Sequence, residues 1–232
     1  MSWFKPRSTQ RVDTAPTPAT AGNAESQSTL TEQDLANFLE TDEWRHNRNV
    51  RDGYARGWGL QFGELRTKIA ADPLYRAGMR AAEGRTVVAE DNRMNLYLLL
   101  RFYLARIPHG HIVEFGSFKG GNAIFMAFVA RQLNPGVHVY SLDTFEGMPE
   151  TNKHIDAHSK GDFAGVDLAE LRTYSKSLGL DNLTFVQGLF QNTAADVLAK
   201  ADTVALAHVD CDIYDAVRYS YEAVKDRMVP GG

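Results

Sequence analysis

The stretch HIVEFGSFKGGNAIF, from His111 to Phe125, decides how this chain folds. It passes from an apolar run into an acid, through three glycines, and on into a helical pattern. A strand, a glycine turn and a helix in succession place a nucleotide-like ligand on the turn. A dinucleotide turn reads G-x-G-x-x-G, its second glycine letting the backbone approach a pyrophosphate. Here the glycines are Gly116, Gly120 and Gly121, and Phe118 stands where that second glycine belongs. No Gly-Lys-Ser/Thr follows, which excludes a P-loop. Glu114, at the strand end, suits a ligand with an ammonium group, and the helix start beyond offers backbone N–H groups to a carboxylate. Ammonium and carboxylate together describe the amino-acid end of S-adenosylmethionine. On this reading Glu114, Phe115, Gly116, Ser117, Phe118 and Gly120 form the first wall of a cofactor site.

Outward from the turn, strands and helices alternate. The pattern predicts strands at His111–Phe115, Val137–Leu142, Leu183–Gln187 and Thr203–Val209. Between and after them it predicts helices at Gly121–Leu133, Val166–Leu178, Thr193–Ala199 and Tyr214–Met228. Residues 204–209 are almost wholly apolar, as in a strand covered on both faces. The expected fold is α/β: a Rossmann-like, doubly wound, mainly parallel sheet spanning residues 109–232. Ligands in such sheets bind beyond the carboxyl ends of the strands. The second strand ends in Asp143, Thr144 and Phe145, where a carboxylate would accept both ribose hydroxyls, with charge-assisted bonds about twice as strong as neutral ones. The third is followed by Gln187, Gly188 and Phe190, placed to contact an adenine ring. The fourth delivers Asp210 and Asp212, two carboxylates able to help bind a hard cation such as Mg²⁺.

Before the alternating pattern, residues 1–30 are rich in Thr, Ala, Pro, Ser, Gln and Asn and read as a disordered tail. Residues 31–108 read as a helical and lid region. Thr31 opens a helix with Leu35, Phe38 and Leu39 on one face. The segment Arg51 to Leu65, with Tyr54, Trp58 and Phe62, is a surface loop or an aromatic lid. Asp72-Pro73 starts a helix through Met79. Another runs from about Asp91 to Arg106, its apolar face made by Leu96, Leu99, Leu100, Tyr103 and Leu104. Lys plus Arg is 25 against 29 Asp plus Glu, a net charge of −4 with no basic stripe, which argues against a nucleic-acid partner. One cysteine, Cys211, permits no intrachain disulfide and fits a reducing compartment. No apolar run reaches bilayer length and the first residues lack a signal-peptide core, so a cytoplasmic protein is expected. The oligomeric state is not legible, and a homo-oligomer stays open.

Three motifs in order, Glu114 to Gly121, Asp143 to Pro149 and Asp210 to Tyr214, resemble the macrocin O-methyltransferase-like family of class I S-adenosylmethionine-dependent methyltransferases. The likeness covers roughly residues 95–232. It implies methyl transfer to a hydroxyl, often of a sugar on a natural product, assisted by Mg²⁺. Carried over, Glu114 to Phe118 would bind the methionine portion, Asp143 the ribose, Thr144 and Phe145 the adenosine, and Asp210 the metal. The family's general base is a histidine in the loop after the second strand, where His154 and His158 both lie. In the family the turn at Pro230 to Gly232 leads into a fifth strand flanked by further acidic ligands. The expectation is therefore a truncated chain with an open sheet edge and a half-built metal site, itself a poor catalyst. A metal-dependent nucleotide-sugar glycosyltransferase would also use the D-x-D pair but leaves Glu114 and the glycine turn unexplained. A non-catalytic module keeping the fold is the remaining alternative.

Overall fold

A computed structural model describes residues 29–39, 44–45, 48–49 and 64–232. Four strands, β1 (His111–Phe115), β2 (Val139–Asp143), β3 (Leu183–Gln187) and β4 (Val204–Val209), pair in parallel in the order β3-β2-β1-β4. Separately, a short antiparallel ladder joins Trp44–Arg45 to Arg48–Asn49. The helices are α1 (Glu32–Leu39), α2 (Glu64–Ala71), α3 (Pro73–Ala81), α4 (Glu90–Leu98), α5 (Gly121–Leu133), α6 (Leu168–Ser177), α7 (Phe190–Ala201) and α8 (Tyr214–Val224).

Both faces of the sheet are covered, and the strands send apolar residues to both sides, β4 being apolar at every position but His208. Ile112, Val139, Phe185 and Ala205 face one core, shared with side chains of α2 to α6. Val113, Phe115, Leu142 and Val204 face the other, with Ala194, Val197 and Leu198 of α7 and Val224 of α8. α5 is enclosed between the sheet and α3 and α4, and is accordingly apolar nearly all round. The chain leaves β1 toward β2 on one side and returns to β4 on the other. The strand order therefore reverses at β1, and a crevice opens at its carboxyl end.

A buried carboxylate ties the N-terminal part to this layer. Asp72 is fully buried and caps α3, its Oδ1 accepting from the N–H groups of Leu74 (2.8 Å) and Tyr75 (3.2 Å). The Tyr97 hydroxyl also donates to Oδ1 (2.7 Å), and the Leu30 N–H to Oδ2 (2.8 Å). Leu30, which the sequence pattern assigns to the tail, is thus a buried, bonded residue. The remainder of that tail, the segment 51–63 and the side chains of Phe38 and Leu39 lie outside the described residues.

Several expected bounds move. The single helix expected to Arg106 is α-helical only to Leu98, then a π turn over Leu99–Tyr103 and a 3₁₀ turn over Leu104–Arg106. Within the wider turn Leu99 and Tyr103 are exposed while Leu100 and Phe102 are buried. α7 starts at Phe190 rather than Thr193, and α8 ends at Val224, followed by a 3₁₀ turn. At the outer edge of β4, Met228 makes a parallel bridge to Val204, whose carbonyl accepts from the Val229 N–H (2.9 Å). Among the described residues no helix is long and apolar enough to cross a membrane.

Candidate functional site

At the carboxyl ends of β1, β2 and β4 lies a cavity of about 530 Å³, a size typical of small-molecule sites. The glycine turn forms its floor. Gly116 has φ +91°, and a Cβ there would lie 2.1 Å from the Asp210 carbonyl oxygen, so only glycine lets β1 and β4 close together. The turn is then held by Asp143. Its Oδ2 accepts from the N–H groups of Ser117 (2.7 Å) and Phe118 (2.8 Å), and its Oδ1 from that of Phe145 (2.8 Å). The Gly121 N–H donates to the Arg85 carbonyl (2.9 Å), which draws Thr86, Val87 and Val88 over the start of α5 as another wall. The N–H groups expected to meet a ligand carboxylate at residues 117, 118 and 121 therefore already have protein acceptors.

Glu114 lines the cavity yet is only 1% exposed, because a polar network encloses it. Its Oε1 accepts from Asn122 Nδ2 (2.9 Å) and its Oε2 from the Ser141 hydroxyl (2.6 Å). His208, its register partner on β4, places Nδ1 3.4 Å from Oε1. Burial alone would push the His208 pKa down, but the hydrogen bond and charge of Glu114 outweigh it and push it up. Asn122, 3% exposed, also lines the cavity, and its Oδ1 has no hydrogen-bond partner among the described residues.

On the opposite wall, Asp210 and Asp212 flank Cys211, whose thiol is pushed up to about 12 chiefly by burial and so stays neutral. Burial and the neighbouring Asp210 push the carboxyl of Asp212 up, while the charge of His158 pulls it down. Among the described residues no group of three His, Cys, Asp or Glu side chains is arranged to hold a metal ion. The two acids alone fall short of the oxygen cage a hard cation needs.

The two loop histidines separate. His158 Nδ1 lies 3.3 Å from Asp162 Oδ2, and its ring packs at 5.1 Å on Phe163, which lines the cavity. With Asp162 on Nδ1, Nε2 is left to take a proton. His154 is exposed, and among the described residues its one hydrogen bond runs from its N–H to the Asn152 side-chain Oδ1 (3.1 Å). The loop carrying both is tied to α8 by Asp156, whose Oδ1 accepts from the Tyr214 N–H (2.8 Å).

Of the candidate residues, Glu114, Gly116, Ser117, Phe118, Asp143, Thr144, Phe190, Asp210 and Asp212 all line this cavity. Phe115 and Phe145 turn into the cores and pack on Phe190 and Phe185 instead. Gly120 abuts Leu171 and Phe185, so its role is close packing of α5. Gln187 and Gly188 sit beside the cavity: Gln187 bonds Glu146, and the Gly188 N–H donates to the Asp143 carbonyl. Asn122, Met148, Phe163 and Leu189 also line the cavity and were not expected. Asn122 directly follows the Gly-Gly pair and is the one polar residue among the buried side chains of α5, a signal that was present.

The family model for macrocin-O-methyltransferase (TylF) matches residues 29–232. The chain belongs to the macrocin-O-methyltransferase family. The match reaches further toward the N-terminus than the three motifs. A relative from Streptomyces olivaceus, an 8-demethyl-8-(2,3-dimethoxy-alpha-L-rhamnosyl)-tetracenomycin-C 4'-O-methyltransferase, is 28% identical over 172 residues, 70% of this chain. The chain spans 65% of that relative's length. The solved O-methyltransferase NovP has a TM-score of 0.56 at 22% identity, covering 68% of this chain and 71% of its own. The calicheamicin methyltransferase CalS11 has a TM-score of 0.56 at 18% identity, covering 92% and 82%. Both share the α/β fold of this macrocin-O-methyltransferase family member.

Proposed function

We propose that this chain is the catalytic part of an S-adenosylmethionine-dependent O-methyltransferase acting on a sugar hydroxyl of a natural product. One observation carries the reading: all three sequence motifs meet around a single cavity at the point where strand order reverses. The residues present fit the donor. Glu114 and the unpartnered Asn122 Oδ1 suit its ammonium group, and Asp143 keeps acceptor capacity on Oδ1 for a ribose hydroxyl. Phe118, Met148, Phe163, Leu189 and Phe190 give the apolar area an adenine needs. The acceptor class follows the Streptomyces olivaceus relative, named for methylating a rhamnosyl group.

When bound, S-adenosylmethionine supplies an electrophilic methyl group on a sulfonium. The protein's tasks are then alignment and deprotonation. Holding donor and acceptor in line at about 3 Å supplies several kcal/mol of the barrier. His158 Nε2, with Nδ1 anchored on Asp162, is the group to take the acceptor's proton. Asp210 and Asp212 are the place where Mg²⁺ would sit, but the described residues supply no third ligand. The test is methyl transfer from labelled S-adenosylmethionine to a panel of deoxysugar glycosides, in Mg²⁺ and in EDTA. Label on a sugar oxygen supports the reading; no label on any glycoside, with donor bound, removes it.

A further inference from the structure

We propose that Asp156 is a positioning residue for the methyl transfer, latching residues 149–160 to the start of α8 so that His158 is held beside the cavity. The inference rests on the reading of His158 as the proton acceptor and adds the residue that keeps it in place. Asp156 itself is not among the residues that line the cavity.

The loop between β2 and α6 folds back on itself. The Met148 N–H donates to the Asp162 carbonyl (2.8 Å) and the Gly161 N–H to the Met148 carbonyl (3.0 Å), closing a neck from which residues 149–160 project. Met148 and Phe163, at the neck, line the cavity. The projecting part has no apolar anchor: none of residues 149–160 is buried, and Ile155 is 60% exposed. What holds it in place is therefore polar. Among the described residues one hydrogen bond runs from 149–160 to an element outside the loop, from the Tyr214 N–H to Asp156 Oδ1 (2.8 Å). Asp156 Oδ2 accepts from the Asn152 N–H (2.7 Å), so one carboxylate stiffens its own turn and fixes that turn to α8.

The bond suits both of its ends. The N-cap of α8, Ile213, makes no side-chain cap bond, so the first N–H groups of the helix lack a partner within it. Asp156 brings a carboxylate there from a distant part of the chain, where the helix dipole favours negative charge. His158 follows the latch by two residues and precedes the neck at Gly161, so the two ties bracket it. Between them its ring rests on Phe163 (5.1 Å), which packs edge-on against Phe118 of the glycine turn (5.1 Å). Without the latch His158 is held from the neck side alone, by Asp162 and Phe163. Moving a reacting group by about 1 Å is enough to cost about 100-fold in rate.

Two measurements on the whole chain test the latch. Proton NMR of the His158 ring needs neither donor nor acceptor: the ring current of Phe163 shifts its protons in the wild type, and Asp156→Ala is expected to return them toward free histidine. With a glycoside that takes label from S-adenosylmethionine, Asp156→Ala is expected to lower kcat by about 10- to 100-fold, while calorimetric affinity for the donor stays within about twofold. In the His158→Ala background the same substitution is expected to cost less than about twofold, because a latch acting through His158 has nothing left to position. Asp156→Asn keeps an acceptor for the Tyr214 N–H and is expected to recover part of both losses, which separates the latch from a failure to fold. An unmoved ring shift, an unmoved kcat, or a rate loss equally large in the His158→Ala background overturns the latch while leaving His158 as the base. His158→Ala at the wild-type rate overturns the base reading, and the positioning role with it.

Discussion

Replacing Gly116 by alanine tests whether the floor of the cavity is built as described. A side chain at φ +91° costs about 1–3 kcal/mol of backbone strain. The new Cβ would also lie 2.1 Å from the Asp210 carbonyl oxygen, 2.7 Å from its carbon and 3.1 Å from the Cys211 Cα. These are backbone atoms, so no rotamer relieves the contact and the end of β4 must move away. That movement breaks the bond from the Asp210 N–H to the Phe115 carbonyl (2.9 Å), worth about 1 kcal/mol net. Overpacking adds about 1–3 kcal/mol, for a total of roughly 3–7 kcal/mol out of a typical 5–15. For a chain of this size the melting temperature should fall by roughly 6–28 °C. Gly84 is the internal control: its φ is +70°, but nothing lies within 4 Å of its Cβ position. G84A therefore carries the backbone cost alone, about 1–2 kcal/mol and roughly 2–8 °C. Thermal melts by circular dichroism read both. If G116A melted within a couple of degrees of G84A, the close approach of β1 and β4 would not be what selects glycine.

Asp143→Ala leaves the N–H groups of Ser117, Phe118 and Phe145 without their acceptor. Donor affinity should fall at least about tenfold and amide exchange in the turn should speed up; unchanged exchange would refute the holding role. His158→Ala should lower kcat at least about 100-fold with donor affinity unchanged, whereas His154→Ala stays near the wild-type rate. Equal losses in the two would return the choice of base to an open one. For stability, burial and then a neighbouring histidine lower the pKa of His111 and His138 below the ordinary 6.5. The unfolded chain then takes up protons first, so their contribution is present above pH 6.5 and is lost as pH falls toward the folded values. His208, raised, does the opposite: its contribution is present below 6.5 and is lost as pH rises through the folded value. Denaturation midpoints from pH 5 to 8 should lose part of their acid slope in His138→Gln and part of their alkaline slope in His208→Gln; unchanged slopes would contradict both.

The four strands were legible because each is a short segment rich in apolar and β-branched or aromatic residues, bounded by turn residues and alternating with helical patterns. Parallel pairing was legible because helices alternate with the strands, whereas the order β3-β2-β1-β4 was not read from the sequence. α2 was missed because its apolar residues, Leu65 and Ile69, follow a glycine-rich stretch that reads as loop. The π turn at Leu99–Tyr103 was missed for a different reason. Seven consecutive residues from Leu98 to Leu104 contain six apolar or aromatic side chains, so composition fits any register. Only packing against α5 selects which of them turns inward.

At the site, chain positions just after each strand were enough to find the carboxylates, but not to find what holds them. Among the described residues, five other than glycine have positive φ: Phe118, Phe145, Phe163, Asp202 and Asp212. All but Asp202 lie at the cavity or in the loops that border it. A phenylalanine carries no sequence mark for a left-handed conformation, and each such residue costs about 1–3 kcal/mol that its surroundings must offset. For two of them the offset can be named. The N–H of Phe118 and the N–H of Phe145 both donate to the carboxylate of Asp143, one to each oxygen. Asp143 therefore pins two strained residues from two different loops, and the acid read from the sequence as a ribose ligand is first a fastener of the turn. Its charge is what makes those bonds strong enough for the task. The residue that would touch the nucleoside and the residue that shapes the floor beneath it are the same one, so a substitution there cannot separate binding from architecture unless the turn is followed directly.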